Sequence, residues 1–422
     1  MLDESLLDAP DALADADRNG LLRGAAEAGA RVRTALRHST EAGIAGLAPE
    51  GRPRAVLIAG SGAAATGVAD LITALTANAA PVTRLRPTGV AAAAGALRWA
   101  LPGWAGPVDL LLIATTEGSE PGLTLLAEQA YRRGCTVVAV APSQSPLSEI
   151  VGGTHGLMVP MATAPNGPYG QNGSYGQNGS YGQNGSYGQT GSYGQSVEPG
   201  QYGRNGSGEW YEPEETPAAG PGALWALLVP LLALLDRVGL LTAPAETLQL
   251  VADRLDRTAE RCGPAIATYS NPAKTLAAEL ADSLPLIWTE GPVAAPAGRR
   301  FAAVLAELTG RPALAAELPE ALPAHSELLA GHFAGGAADP DDFFRDRVEE
   351  PQAWRARVVL LRDRPAGGLT AAPAARELAL GHDTAISELE PEEGSELEAL
   401  AELVAVTDFA TVYLALAGAA PA

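Results

Sequence analysis

Apolar residues recur every three or four positions in LLRGAAEAGARVRTALRHS, so residues 1–50 are expected to be helical. The pattern then changes. RAVLIAGSG is a continuous apolar run that breaks into a glycine-containing turn, and ATGVADLITALTA after it is helical again. VDLLLIATTEGSEPG with TLLAEQAYRR repeats strand, turn and helix; CTVVAVAPS and the helical turn LSEI add a third unit. Runs that are apolar on both faces and alternate with helices predict a parallel sheet covered on both sides. From Gly220 two helices follow, GALWALLVPLLALLDRVGLL and TLQLVADRLDRTAERC. A second alternation runs through PLIWTEG, RRFAAVLAELTG, PALAAELP, RARVVLLRD and TAISELE, before helices around Leu397 and Thr411. The reading is α/β: two parallel-sheet domains, each sheet between two layers of helices, joined by a helical linker.

Between the alternations the pattern is lost. Tyr169, Tyr175, Tyr181, Tyr187 and Tyr193 recur every six residues in YGQNGS units across 166–195, and an acidic stretch extends to 217. Gly, Asn, Gln and Ser bury too little apolar surface to offset chain entropy, so a disordered low-complexity insert is expected over 163–217. A hexapeptide β-helix would need an apolar stack that Tyr alone does not supply. The boundaries that result are 1–50 for the N-terminal helices, 51–162 for the first domain, 218–265 for the linking helices and 266–422 for the second domain.

Charge narrows the partners. The chain has 422 residues, and 49 acidic against 28 basic residues give a net charge of −21. Such a field repels nucleic acid and anionic membrane. The most apolar run, Ala223 to Leu235, contains Pro230 and is too short to span a bilayer, so it reads as a buried helix. MLDESLLDAPDALADADRNG lacks the basic and apolar regions of a signal peptide, and the expected location is cytoplasmic. Cys135 and Cys262 sit far apart in small-residue settings, which predicts buried free thiols and no zinc site.

Candidate chemistry centres on Glu307 in AELTGRPA and His325 in AHSE, 18 residues apart. A carboxylate can carry a proton between adjacent carbons, and an imidazole can assist ring opening near neutral pH. With NPAKTLAAEL before them and DFATVYLALAG after them, these segments resemble the bifunctional phosphoglucose/phosphomannose isomerases, built from two sugar-isomerase (SIS) domains. ELTGRPA stands where that family shows E-N-x-K-x-P-A, and AHSE where it shows N-H-N-E. The resemblance implies that Glu307 is the catalytic base and His325 the ring-opening histidine, supplied across a homodimer interface. It also implies a sugar or sugar-phosphate ligand, aldose–ketose isomerisation of glucose and mannose 6-phosphates to fructose 6-phosphate, and no metal or redox cofactor.

The family's phosphate loops, G-x-G-G-S and S-x-S-G-N-T, hold the anion with hydroxyls and backbone amides. Here they read Gly60-Ser61-Gly62-Ala63-Ala64 and Thr115-Thr116-Glu117-Gly118-Ser119-Glu120. Gly60, Ser61, Gly62, Thr115, Gly118 and Ser119 are the expected ligand-binding residues. Glu117 and Glu120 replace hydroxyls, and if they face the ligand each opposes a phosphate. At ~4 Å and an effective dielectric of about 20 that costs roughly 4 kcal/mol per charge pair. The family's arginine before the apolar helix falls near Pro221–Gly222, and its lysine-bearing extension lies past Pro421-Ala422. Lys274 is expected on a helix surface. These departures open an alternative, a non-catalytic SIS-fold sugar-binding or regulatory protein. A dinucleotide loop in GSGAAATG is disfavoured because PVTRLRP ends without an acidic residue for a ribose.

Overall fold

The structure is a computed structural model that describes residues 2–48, 51–76, 79–90, 94–161, 220–331, 333, 354–363 and 368–418. The expected low-complexity insert, and His332, lie outside the described residues. Helices α1 (Glu4–Leu7), α2 (Pro10–Ala16), α3 (Leu21–Ala26) and α4 (Ala28–Glu41) open the chain. The first sheet then assembles from β1 (Val56–Ala59), α5 (Gly62–Leu75), β2 (Val82–Leu85), β3 (Leu110–Ala114), α6 (Pro121–Arg132), β4 (Thr136–Ala141), α7 (Pro146–Gly153) and β5 (Leu157–Pro160). Its strand order is β2-β1-β3-β4-β5, all pairs parallel.

Helices α8 (Ala223–Arg237), α9 (Ala245–Cys262) and α10 (Pro272–Leu280) lead into the second sheet. It comprises β6 (Ser283–Glu290), α11 (Ala294–Thr309), β7 (Leu314–Glu317), α12 (Ala321–Ala330), β8 (Arg355–Arg362), α13 (Ala372–Gly381) and β9 (Ala385–Leu389). The order β7-β6-β8-β9 is again all parallel and repeats the order of the first four strands of the other sheet. In each sheet the chain leaves the first strand in one direction and later returns to build in the other. That reversal makes a crevice at the carboxyl ends of the two central strands, where ligands of such sheets sit.

Strand alternation decides the layers. Ile58, Leu112 and Val140 point to one side of the first sheet and join the large core with α4, α5, α8, α11 and α14 (Glu396–Gly418). Leu57, Leu111 and Ala139 point to the other side, under α6 and α7. In the second sheet Ile287 and Val359 face the large core, whereas Leu286, Trp288 and Leu360 face α12 and α13. Both sheets are therefore covered on both faces, as their unbroken apolar runs require.

The run Ala223–Leu235 is indeed a buried helix, α8, and tolerates Pro230 inside it. The C-terminal segment is one helix of 23 residues rather than the two expected around Leu397 and Thr411. It is long and apolar enough to cross a membrane, but 89% of its apolar window is buried inside the protein, as in a core helix. Cys135 and Cys262 are buried free thiols, and burial pushes the Cys262 pKa up to about 12.

Candidate functional site

The crevice of the first sheet lies between the loops that follow β1 and β3. Gly60 lets these two loops touch, and Gly118 lets the second of them meet the loop after β4. A Cβ on Gly60 would collide with the Ala114 carbonyl oxygen, and one on Gly118 would stand 2.5 Å from Ser145 Oγ. Gly62, at φ +80°, and Gly118, at φ +68°, turn the chain into conformations that side chains disfavour. Across this contact Ser61 Oγ donates to Glu120 Oε1 at 2.6 Å, and Thr115 Oγ1 donates to the same oxygen at 2.8 Å. Thr115 Oγ1 in turn accepts from the Glu117 and Gly118 amides, each at 3.2 Å. Five of the six expected ligand-binding residues, all but Ser119, are thus brought together, though their polar groups bond one another.

The two loop carboxylates behave differently. Glu120 is 1% exposed and directed at the hydroxyls. Glu117 is exposed and accepts from Ser119 Oγ at 3.2 Å. One carboxylate is drawn into the loops, and the other stays outside with Ser119.

Glu307 lies on the exposed side of α11. It lines a narrow crevice with Ala63 and Ala64 in the first turn of α5, Pro221 and Leu224 at the start of α8, and Arg300. The space enclosed is about that of one water molecule. Placing a carboxylate near the first turn of α5 also favours the positive end of that helix. Arg300 is buried and paired through both guanidinium ends with the carboxylate of Asp408 on α14, while its Nε has no hydrogen-bond partner. The aliphatic stem of Arg300 also packs at Gly67 of α5, where a Cβ would meet it at 3.4 Å.

His325 sits elsewhere. It is 8% exposed on α12, and its Nδ1 accepts from Trp288 Nε1 at 2.9 Å. Indole N–H only donates, so Nδ1 is unprotonated and the neutral ring carries its hydrogen on Nε2. Burial lowers the pKa of His325 below the ordinary histidine value. Because α11 covers one face of the second sheet and α12 the other, Glu307 and His325 are not brought together within one chain.

Comparison with known proteins finds a similarity in the C-terminal part of the chain. Residues 269–420 match the family described as bacterial phospho-glucose isomerase C-terminal SIS domain. The similarity is to an SIS domain of the phosphoglucose isomerase type and concerns that part of the chain. Two solved structures share this two-sheet architecture across nearly the whole length. One is a hypothetical protein from Thermus thermophilus, with TM-score 0.57 and 14% identity; the match covers 98% of this chain and 89% of that one. The other is the C-terminal domain of glucosamine-fructose-6-phosphate aminotransferase from Francisella tularensis, with TM-score 0.53 and 10% identity, covering 94% and 96%. At such identities the likeness concerns fold alone. No curated protein matches the chain by sequence.

Two of the motifs that carried the resemblance meet in space. Lys274 of NPAK is not on a surface, which corrects the expectation made for it. It is 0% exposed; its Nζ donates to the Pro264 and Ile266 carbonyls at 2.7 Å each and stands 5.5 Å from the ring centroid of Tyr413 in DFATVYLALAG. Two carbonyl acceptors and an aromatic face compensate the ammonium for lost water. Asp408 of the same C-terminal motif holds Arg300. Sequence reading missed both partners. A signal was present: Arg300 shares the buried stripe of Ala297, Phe301 and Val304, and Asp408 is the one charged residue between Leu403 and Gly418 of the last helix.

Proposed function

We propose that this SIS protein is an aldose–ketose isomerase acting on a hexose, with Glu307 as the group that moves the proton. The observation that carries the reading is the crevice shared by Glu307, Arg300 and the first turn of α5. The Glu307 carboxylate takes the C2 proton of the open-chain aldose and returns it to C1, while the hydroxyl proton at O2 passes to O1, through a cis-enediol(ate). The N-terminus of α5 favours the oxygen that gains negative charge in that intermediate. This chemistry requires neither metal nor redox cofactor. A sugar lies across the mouth of the crevice, where Glu307 is exposed, because the interior has room for about one water.

In this reading His325 serves ring opening only from a second copy, its neutral Nε2–H donating to the ring oxygen. The protein then works as a homodimer, and light scattering at micromolar concentration should give twice the chain mass. Residues 51–162 and 266–422 would be the two domains, and glucose and mannose 6-phosphates are the substrates the family resemblance suggests. A second reading, a non-catalytic sugar-binding or regulatory protein, is favoured by the enclosure of His325 against Trp288. A ketose-specific coupled assay on glucose, mannose and their 6-phosphates separates the two. Turnover that falls by about 10²–10⁴ in Glu307→Gln supports isomerisation; no turnover with retained sugar binding supports the second reading.

A further inference from the structure

The loops after β1 and β3 have the parts of an anion site, yet the Ser61 and Thr115 hydroxyls and two of the amides are already bonded. Ser61 and Thr115 both give their hydroxyl hydrogens to Glu120 Oε1, from opposite sides of the crevice, at 2.6 and 2.8 Å. The Glu117 and Gly118 amides, which would otherwise face an anion, are taken by Thr115 Oγ1. Glu120 stands at the N-cap of α6 and Ser61 at the N-cap of α5, so the carboxylate lies where the positive ends of two helices begin. Neither side chain caps its own helix in the usual way; each is committed to the other. One polar atom in this arrangement has no partner. Glu120 Oε2 is buried without a hydrogen-bond partner among the described residues, and the residue is only 1% exposed. A carboxylate oxygen accepts and cannot donate, so what completes it is a group carrying hydrogen.

The second sheet repeats the device at its own crevice. Asp363, directly after β8, accepts from the Val293 and Ala294 amides at 2.8 and 3.1 Å, at the N-terminus of α11. Asp363 is also buried, and its Oδ1 likewise has no partner among the described residues. Gly291 is required there, since a Cβ would collide with Asp363 Oδ1. In both halves of the chain a carboxylate from the loop after one central strand fills the place that faces the other strand's loop.

We infer that Glu120 is a built-in occupant of the anion subsite, so that the sugar bound at this end of the sheet presents a hydroxyl to Glu120 Oε2 and carries no phosphate there. This rests on the sugar-binding reading of the site and narrows its ligand class to unphosphorylated sugars. Phosphate cannot enter without displacing a carboxylate of the same charge sign from the hydroxyls and helix ends it occupies. Glu117 plays no part in the exclusion, because it lies outside with Ser119.

The test uses the full chain and inorganic phosphate as probe, by calorimetry at low ionic strength. The unmodified protein is expected to show no saturable phosphate binding at millimolar concentration. Glu120→Thr should release Ser61 and Thr115 and tighten phosphate binding by about a hundredfold or more, with glucose 6-phosphate following the same trend. Glu117→Ser should behave as the unmodified protein. Glu120→Gln, which keeps an acceptor of the same shape, should fold if Thr does not and should gain affinity in the same direction. Three results would overturn the inference: saturable phosphate binding by the unmodified chain that Glu120→Thr leaves unchanged, no gain in either Glu120 variant once folding is checked by circular dichroism, or an equal gain in Glu117→Ser. None of these depends on Glu307, so failure here is distinct from failure of the isomerase reading, which the ketose assay decides.

Discussion

Lys274 is the one lysine in the sequence, and it is enclosed completely. Replacing it with Met keeps most of the apolar stem and removes the ammonium. Two charge-assisted hydrogen bonds disappear, at about 1.5–3 kcal/mol each, and the carbonyls of Pro264 and Ile266 lose their donor. The contact with the Tyr413 ring adds roughly 0.5–2 kcal/mol. Against this stands relief from burying a charge, since burial holds the lysine pKa below its usual value while Asp8 acts the other way. The net expectation is a loss of about 2–4 kcal/mol in urea denaturation. The sign with pH also follows. A lysine whose folded pKa is depressed binds its proton less tightly than the unfolded chain does, so stability rises with pH up to the ordinary lysine value near 10.5. Lys274→Met should remove that rise. A double-mutant cycle with Tyr413→Leu should return a coupling near 1 kcal/mol. A cost below ~0.5 kcal/mol for Lys274→Met, with no coupling to Tyr413, would refute the argument that this ammonium ties the Pro264–Ile266 turn to the C-terminal helix.

Two other outcomes follow from buried polar groups. Asp408→Ala strands the Arg300 guanidinium in the core and should destabilise by about 3–5 kcal/mol in the same assay, whereas a loss under ~1 kcal/mol would mean water reaches Arg300. His325 has a folded pKa below its unfolded value, so its contribution is complete above about pH 6.5 and is lost as pH falls toward the folded value. The slope is at most ~1.4 kcal/mol per pH unit, and it should vanish in His325→Gln when denaturation is followed from pH 7.5 down to pH 5.

Both sheets were legible in the sequence because a strand buried on two faces must be a continuous apolar run, and few other structures demand one. The buried character of Ala223–Leu235 followed in the same way from its length and Pro230. Long-range polar partners were not legible. Thr407 and Asp408 look like a break in the last helix, yet Thr407 Oγ1 donates to the Leu403 carbonyl one turn back and Asp408 is neutralised by Arg300, 108 residues earlier. Lys274 reads as a surface residue because its acceptors lie in an irregular turn and its aromatic partner at the far end of the chain. The direction of Glu120 depends on how closely Gly60 approaches Ala114, a contact between strands that spacing along the chain does not reveal. Glu307 can be nominated from its motif, but its crevice partner Arg300 emerges only once α11 is laid against α5 and α8.

The most direct test of the proposed chemistry is proton exchange at carbon, which depends on no coupling enzyme. Glucose, mannose and their 6-phosphates are incubated with the protein in deuterium oxide, and loss of the C2 proton is followed by NMR. The account predicts deuterium at C2 of at least one unphosphorylated hexose with the unmodified chain, and a rate lower by about 10²–10⁴ in Glu307→Gln. Exchange that persists undiminished in Glu307→Gln, or no exchange into any of these sugars under conditions where they bind, would contradict it.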